Sequence, residues 1–332
     1  MQADIRDDDD RWMGAAIVLA ARGVGRTGVN PSVGCVIISH GRVAGRGTTA
    51  PGGRPHAEAL ALDAAGSAAR GSTAYVSLEP CAHVSARGPA CCDLLVAAGV
   101  ARVVVAVADP DPRTAGLGIA RLRAAGIAVT TGVCEAGARA VAAGFFSRQM
   151  RGRPFVMLKL ALSLDGCVAM ASGESRWITG AQARAHAHLE RARADLIVVG
   201  RGTLEADDPA LDVRLPGLAG QGQRAAVLSA SLAAIPAGKR LAGAILLRDF
   251  TEVDAMADVL TVLVEGGAGV AASLLAADRI DRLLIYRAPM VLGGRGLGEV
   301  GLSALADAHG RWRRTQLRPL GSDTLEVYDR AR

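Results

Sequence analysis

The chain is predicted to be an α/β protein of two domains, and three features carry that expectation. Its 332 residues exceed one ordinary core and suit two domains of roughly 150 residues each. Short apolar runs rich in Val, Ile and Leu alternate with Ala- and Leu-rich stretches of helical spacing, the pattern of strands joined by crossover helices. Hydrophobic residues make up 50% of the chain and aromatics only 3%, a balance that favours tightly packed elements over an aromatic binding surface.

A first helix is expected over residues 12–21, behind the acidic run Asp7, Asp8, Asp9 and Asp10, because carboxylates suit the positive end of a helix dipole. Apolar runs at 33–38 and 42–47 flank the polar residues Ser39, His40 and Gly41 and predict a hairpin. Then come a helix over 56–69, a strand over 73–78 and a helix over 91–98. A strand over 102–107, a helix over 114–125 and a strand over 127–130 complete a three-layer domain with parallel strand pairs.

Residues 147–154 turn basic and polar before a new strand over 155–161. The domain boundary is placed there, giving units 1–149 and 150–332. The second unit is read as a helix over 181–193, strands over 195–199, 225–229 and 260–264, a helix over 269–277 and a strand over 282–287. Residues 216–223 read as a Gly-rich surface loop, since Gly and Pro punctuate regular structure.

Composition excludes several classes. The net charge is +6, but the basic residues are nearly all Arg and evenly spread. That distribution predicts anionic small molecules as ligands and no nucleic-acid partner. Cys35, Cys81, Cys91, Cys92, Cys134 and Cys167 are too few and too uneven for a disulfide framework, so reduced thiols and a cytoplasmic setting are expected. The acidic start does not read as a signal peptide, and no apolar run reaches the length of a membrane span, so no membrane partner is expected.

The sharpest chemical signal is Pro55, His56, Ala57 and Glu58, followed by Glu79, Pro80 and Cys81 and then by Cys91. A zinc deaminase needs three protein ligands that leave a coordination position open, together with a carboxylate that moves protons without binding the metal. His-x-Glu with a later Pro-Cys and Cys supplies those parts. His56, Cys81 and Cys91 are the expected ligands and Glu58 the catalytic carboxylate. Cys92 adjoins Cys91 and competes for the third place, although adjacent side chains point in different directions. The rival reading of the motif is a closed structural zinc site.

A family resemblance rests on these residues and others. Thr27, Asn30, Pro31 and Gly34, the motif from Pro55 to Glu58, then Leu78 to His83 and Pro89 to Cys92 resemble the deaminase half of the bifunctional riboflavin-biosynthesis deaminase/reductase. The resemblance continues through Lys159, Ala161, Ser163, Asp165 and Gly166, through Ser175, Trp177 and Thr179, and through Asp207, Asp208, Pro209, Leu211, Glu265, Gly266 and Gly267.

The resemblance implies a cytidine-deaminase-like first domain and a dihydrofolate-reductase-like second domain. It implies hydrolytic deamination of 2,5-diamino-6-(5-phosphoribosylamino)pyrimidin-4-one, then reduction of its ribosyl group to ribityl with NADPH. Zinc and NADPH are the implied cofactors, a phosphorylated pyrimidine the substrate, and a homodimer through the reductase domain the implied assembly. Asn30 is implied to hold the pyrimidine. Ala161, Trp177, Thr203 and Asp207 are assigned to the nicotinamide cofactor, with Gly267, Ala268 and Gly269 cradling its phosphates at a helix start. Ser175, Arg191, Leu211, Arg214 and Glu265 are assigned to the substrate, and Lys159 is placed near the reacting sugar.

No Gly-x-Gly-x-x-Gly follows an early strand in the second half, which disfavours a Rossmann site. The sequence departs from the family pattern at Val29, where Pro is usual, and at Thr49, where His is common. The connection from Cys81 to Cys91 is one residue longer than usual and keeps only Arg87 as a basic residue. Two rival functions remain at this level: a deaminase of another amino-heterocycle with a degenerate second domain, and an RNA-binding protein with structural zinc.

Overall fold

In the computed structural model a five-stranded sheet organises one part of the chain and an eight-stranded sheet the other. The two parts separate as Met1–Arg153 and Pro154–Arg332. The structure describes residues 2–83, 88–218, 223–298, 300, 302 and 304–331.

The first unit runs α1 (Gln2–Gly23), β1 (Gly34–Ser39), β2 (Arg42–Thr48), α2 (Ala57–Ala65), β3 (Thr73–Val76), α3 (Cys91–Ala98), β4 (Arg102–Val105), α4 (Leu117–Ala124), β5 (Ala128–Thr131), α5 (Glu135–Val141) and α6 (Ala143–Arg151). Its sheet has the order β2-β1-β3-β4-β5. Strand β1 is antiparallel to β2 and to β3, while β3, β4 and β5 are parallel.

Glycines in the hairpin let two helices lie directly on the sheet. A Cβ on Gly34 would come 1.9 Å from the Ala16 carbonyl oxygen in α1, and one on Gly47 would come 2.3 Å from the Ala57 carbonyl oxygen in α2. Gly34 pairs with Thr48 across the strands, and the Thr48 hydroxyl donates to the Leu19 carbonyl of α1 at 3.0 Å. Gly47 and Thr48 are neighbours on one strand and face opposite ways. Helices α1 and α2 therefore cover opposite faces, the expected three layers, and α2 begins immediately after His56.

Three elements differ from expectation, and of these α5 (Glu135–Val141) has no counterpart in the expected series. Helix α1 starts well before residue 12 and includes the acidic run, because Asp9 is buried and bonded rather than left as a solvated cap. Arg102 donates to both Asp9 carboxylate oxygens, at 2.9 and 2.6 Å, and the Tyr75 hydroxyl donates at 2.9 Å. The basic, polar stretch at the domain boundary, for which no helix was expected, is helical through Arg151. Phe145 and Phe146 bury the start of α6, and Gly152 ends it at φ 68°, a left-handed turn that glycine takes without strain.

The second unit runs β6 (Phe155–Leu162), α7 (Ala181–Arg193), β7 (Leu196–Gly200), α8 (Arg201–Asp207), β8 (Arg224–Leu228), β9 (Ile245–Leu247), β10 (Thr261–Val264), α9 (Ala268–Ala276), β11 (Arg282–Arg287), β12 (Trp312–Leu320) and β13 (Asp323–Arg330). The sheet order is β12-β13-β11-β6-β10-β7-β8-β9. From β11 to β9 every pair is parallel, and β13 and β12 add an antiparallel edge.

Both faces of this sheet are covered. Val156, Leu158, Leu196, Val198, Val262 and Val264 belong to one core cluster, while Met157, Ile197, Val199 and Leu263 belong to another. Burial on two faces is why these strands read as unbroken apolar runs. Helix α8 and strands β9, β12 and β13 had no counterpart in the sequence reading. Strand β12 is largely exposed along its length and so lacks an apolar pattern. In the Gly-rich loop, residues 219–222 lie outside the described residues. Among the described residues no helix is long and apolar enough to cross a membrane.

Asp9→Ala should leave Arg102 without its buried partner and lower unfolding stability by about 2 kcal/mol. Urea titration of the purified chain, followed by circular dichroism, checks this. An unchanged midpoint would show that the N-terminal helix does not depend on the pair.

Candidate active sites

In the first unit the donor atoms of His56, Cys81 and Cys91 all lie within 4.8 Å of one another. His56 Nδ1 is 3.2 Å from Cys91 Sγ and 3.6 Å from Cys81 Sγ. A tetrahedral zinc ion with bonds of about 2.0–2.3 Å holds its ligand atoms about 3.3–3.8 Å apart, so one nitrogen and two sulfurs at these separations fit that ion. Three elements converge here. His56 caps α2, Cys91 opens α3, and Cys81 follows β3.

The helix start also explains the charge state of the sulfurs. The Cys91 amide donates to Cys81 Sγ at 3.3 Å. Hydrogen bonding from Cys91 and then His56 draws the Cys81 pKa down against burial, while hydrogen bonding to Cys81 and burial raise the Cys91 pKa. A single cation replaces the thiol proton and holds both sulfurs as thiolates. Cys92 lies outside the cluster. Its amide donates to the Cys81 carbonyl and its sulfur faces the Asp93 carboxylate at 3.7 Å, with burial pushing its pKa up to about 11.

Glu58 is the second residue of α2, in its first turn, and is buried. Burial raises its pKa, and only part of that rise is offset by His56. A carboxyl group with a raised pKa beside the three donors can both take and return a proton. The metal loop is braced by Glu79, whose carboxylate accepts from the amides of Asp109 at 3.1 Å, Gly116 at 3.0 Å and Ile119 at 3.1 Å. A Cβ on Gly118 would meet the Pro80 carbonyl oxygen at 2.0 Å, so glycine is needed there for the chain to pass beneath Cys81.

The Asn30 side chain lies over Gly53, where a Cβ would meet Nδ2 at 2.0 Å, which places it on the segment leading to His56. Thr49 has a structural part: its hydroxyl accepts from the Val33 amide at 2.9 Å and donates to the Pro31 carbonyl at 3.3 Å, fixing the loop that carries Asn30. Arg87, expected as the basic residue of the neighbouring loop, lies outside the described residues.

The second unit opens a cavity of about 1330 Å³ around the C-terminal ends of its parallel strands, where open α/β sheets bind ligands. Lys159 and Ala161 line it from β6, Ser175 and Trp177 from the connection to α7, and Arg191 from α7 itself. Thr203 and Asp207 line it from α8, and Leu211 and Arg214 from the loop beyond. Glu265, Gly267, Ala268 and Gly269 complete it at the junction of β10 and α9.

Gly267 caps α9, whose first turn carries no acidic residue. Gly269 has open space where a side chain would stand. Bare backbone amides at a helix start form a cradle that fits the diphosphate of a nicotinamide cofactor. Trp177 is 64% exposed and is not a core anchor, and the Arg184 guanidinium lies 4.8 Å from its ring centroid. Asp207 Oδ1 is 3.3 Å from Arg176 Nε.

Arg191 is not on a solvated helix face. It makes a two-point pair with Glu265, Nε to Oε1 at 2.5 Å and Nη2 to Oε2 at 2.9 Å. Burial alone would raise the Glu265 pKa, but Arg191 first, and then Lys159 and His188, outweigh it and keep the carboxylate ionised below its ordinary value.

Comparison with known proteins assigns a family match to each unit. Residues 6–107 match the cytidine and deoxycytidylate deaminase zinc-binding region, and residues 154–325 match the RibD C-terminal domain. The riboflavin biosynthesis protein RibD of Escherichia coli strain K12 is 38% identical over 359 aligned residues, covering 95% of this chain and 97% of that protein. The chain belongs to the RibD family of riboflavin biosynthesis proteins.

Among relatives of this RibD-family chain, the Mycobacterium tuberculosis H37Rv protein is 39% identical, with 95% of this chain and 96% of that protein covered. Acinetobacter baumannii RibD superposes with a TM-score of 0.87 at 35% identity, covering 98% of this chain and 100% of that one. A Thermotoga maritima protein described as a diaminohydroxyphosphoribosylaminopyrimidine deaminase/5-amino-6-(5-phosphoribosylamino)uracil reductase superposes with a TM-score of 0.85 at 29% identity, covering 98% and 99%.

The sequence reading left out two contributors to these sites. Glu79 entered only as part of a motif, and its three amide partners come from a loop thirty to forty residues away. His188 lines the cavity and had a signal, since it shares the 184, 188, 191 spacing of one helical face.

Cys81→Ser should abolish zinc retention, measured by metal analysis after gel filtration, whereas Cys92→Ser should retain about one zinc per chain. The reverse result would transfer the third ligand position to Cys92.

Proposed function

We propose that the first unit deaminates 2,5-diamino-6-(5-phosphoribosylamino)pyrimidin-4-one and that the second reduces the ribosyl group of the product to ribityl, using NADPH. The observation that carries this reading is the cluster of half-buried His56 with buried Cys81 and Cys91, and the buried Glu58 beside it. His56, Cys81 and Cys91 would hold a zinc ion while leaving it open to water, and Glu58, which is not among the three donors, would be free to move the proton. The fit of the cavity in the second unit to a phosphorylated cofactor and substrate supports the reduction step.

Zinc, when bound, acts as a Lewis acid that makes water acidic enough to react at neutral pH. Glu58 accepts a proton from the water as its oxygen adds to the carbon bearing the 2-amino group. It then returns the proton to the amino nitrogen, the carbon–nitrogen bond breaks and ammonia leaves, and the proton of the added hydroxyl passes to the ring nitrogen as the ring carbonyl forms. Asn30 orients the pyrimidine, and Glu79 keeps the Cys81 loop in register by holding three amides.

NADPH, when bound, supplies the hydride for the second reaction. The residues of the second unit then have positioning tasks. Gly267, Ala268 and Gly269 receive the diphosphate, while Ala161, Trp177, Thr203 and Asp207 hold the rest of the cofactor. Lys159, Ser175, Leu211 and Glu265 frame the sugar, and Arg214 offers a guanidinium to the substrate phosphate. Close orientation of two bound reactants supplies much of the rate in such a step.

Glu58→Gln should retain zinc and lose ammonia release by a factor on the order of 10³ or more. Normal turnover in that variant would remove Glu58 from the proton path. Incubation of the wild-type chain with the diamino substrate, with and without NADPH, should give a mass change for deamination alone and a further gain of two hydrogens with NADPH. Ammonia release with no further reduction would leave the chain a deaminase only.

A further inference from the structure

Helix α7 presents Arg184, His188 and Arg191 to the cavity. His188 Nδ1 lies 3.0 Å from the Asp212 carbonyl oxygen and 3.4 Å from the Arg214 amide nitrogen. One tautomer donates to the carbonyl and the other accepts from the amide. Either way the imidazole ties residues 212–214 to α7.

Arg191 reinforces the same tie. Its Nη1 donates to the Asp212 carbonyl at 3.0 Å while its Nε and Nη2 hold Glu265. Each of its three guanidinium nitrogens therefore bonds the protein, which fixes the side chain between Glu265 and residue 212. The stretch is also anchored by Leu211 and Val213, each 5% exposed.

Arg214 is differently placed. Among the described residues its carboxylate neighbour is Asp212, 3.5 Å away, with the two side chains 63% and 47% exposed. Such an exposed pair is weak, and a dianionic phosphate displaces it. The His188 ring stays neutral near pH 7, since burial and the charges of Arg191 and Arg214 lower its pKa. The tie is thus a hydrogen bond that adds no charge beside Arg214.

We propose that His188 and Arg191 form a clamp on residues 212–214 that positions Arg214 for the substrate phosphate, making His188 a positioning residue for phosphate recognition. The inference deepens the reductase reading above and rests on it. It gives Arg191 a part in supporting both Arg214 and Glu265.

The test is steady-state reduction by the full chain, comparing the deaminated phosphorylated intermediate with its dephosphorylated counterpart. His188→Ala should raise KM for the phosphorylated compound about five- to ten-fold, the scale of one lost hydrogen bond. It should leave kcat, the KM for NADPH and the KM for the dephosphorylated compound unchanged. His188→Asn, whose amide can donate to the carbonyl or accept from the backbone N–H, should restore the wild-type KM.

An equal rise for both compounds, or a wild-type KM in His188→Ala, overturns the clamp. Arg214→Ala, at an exposed position whose loss leaves the core intact, must show the same selective rise even if His188→Ala fails to fold. Without that rise there is nothing for the clamp to position. A wild-type chain that binds NADPH and reduces neither compound sinks the reductase reading itself, and the clamp with it. Ammonia release in every variant reports separately on the first unit.

Discussion

Two buried cysteines and a buried carboxylate lie beside a half-buried imidazole in the first unit, and polar groups remain out of water only when each has a partner. The thiol of Cys91 and the imidazole of His56 serve Cys81, a backbone amide at the start of α3 adds to them, and a bound cation satisfies all three donors at once. The surrounding fold follows from that requirement. Glycines in β1 and β2 let α1 and α2 lie against the sheet, setting where His56 and Glu58 stand. The amides held by Glu79 fix the loop beneath Cys81. Freedom in any of these supports would be felt as metal lost or a proton misplaced.

The second unit handles buried charge in another way. Glu265 is held ionised by the two-point pair with Arg191, with Lys159 nearby. A pair of this kind adds little net stability, yet it fixes geometry because removing either member strands the other. Its value here is placement. The same arginine reaches the Asp212 carbonyl, so the position of a strand-end carboxylate and the course of the loop bearing Arg214 are set together.

The two units thus show two uses of one physical rule. Where chemistry needs a reactive group, the first unit satisfies donors on one side and leaves a carboxyl with a raised pKa. Where recognition needs a fixed surface, the second unit satisfies every nitrogen of one arginine and leaves another, more exposed one for a ligand.

By itself the sequence determined the alternation of strands and helices, the zinc-type motif and the family, because each is written in local spacing. An unbroken apolar strand, a His-x-Glu at a helix start and a Gly-rich helix entry need no distant partner to be recognised. Tertiary structure decided the rest. Asp9 belongs inside a helix because Arg102 and Tyr75 meet it there, and residues 147–151 are helical because Phe145 and Phe146 are buried just ahead of them. The exposed strand β12 has no apolar pattern, and only pairing with β13 makes it a strand. The separate parts of Cys91 and Cys92, and of Arg191 and Arg214, depend on which groups lie across space from side chains of the same chemical kind, and that is information no local pattern contains.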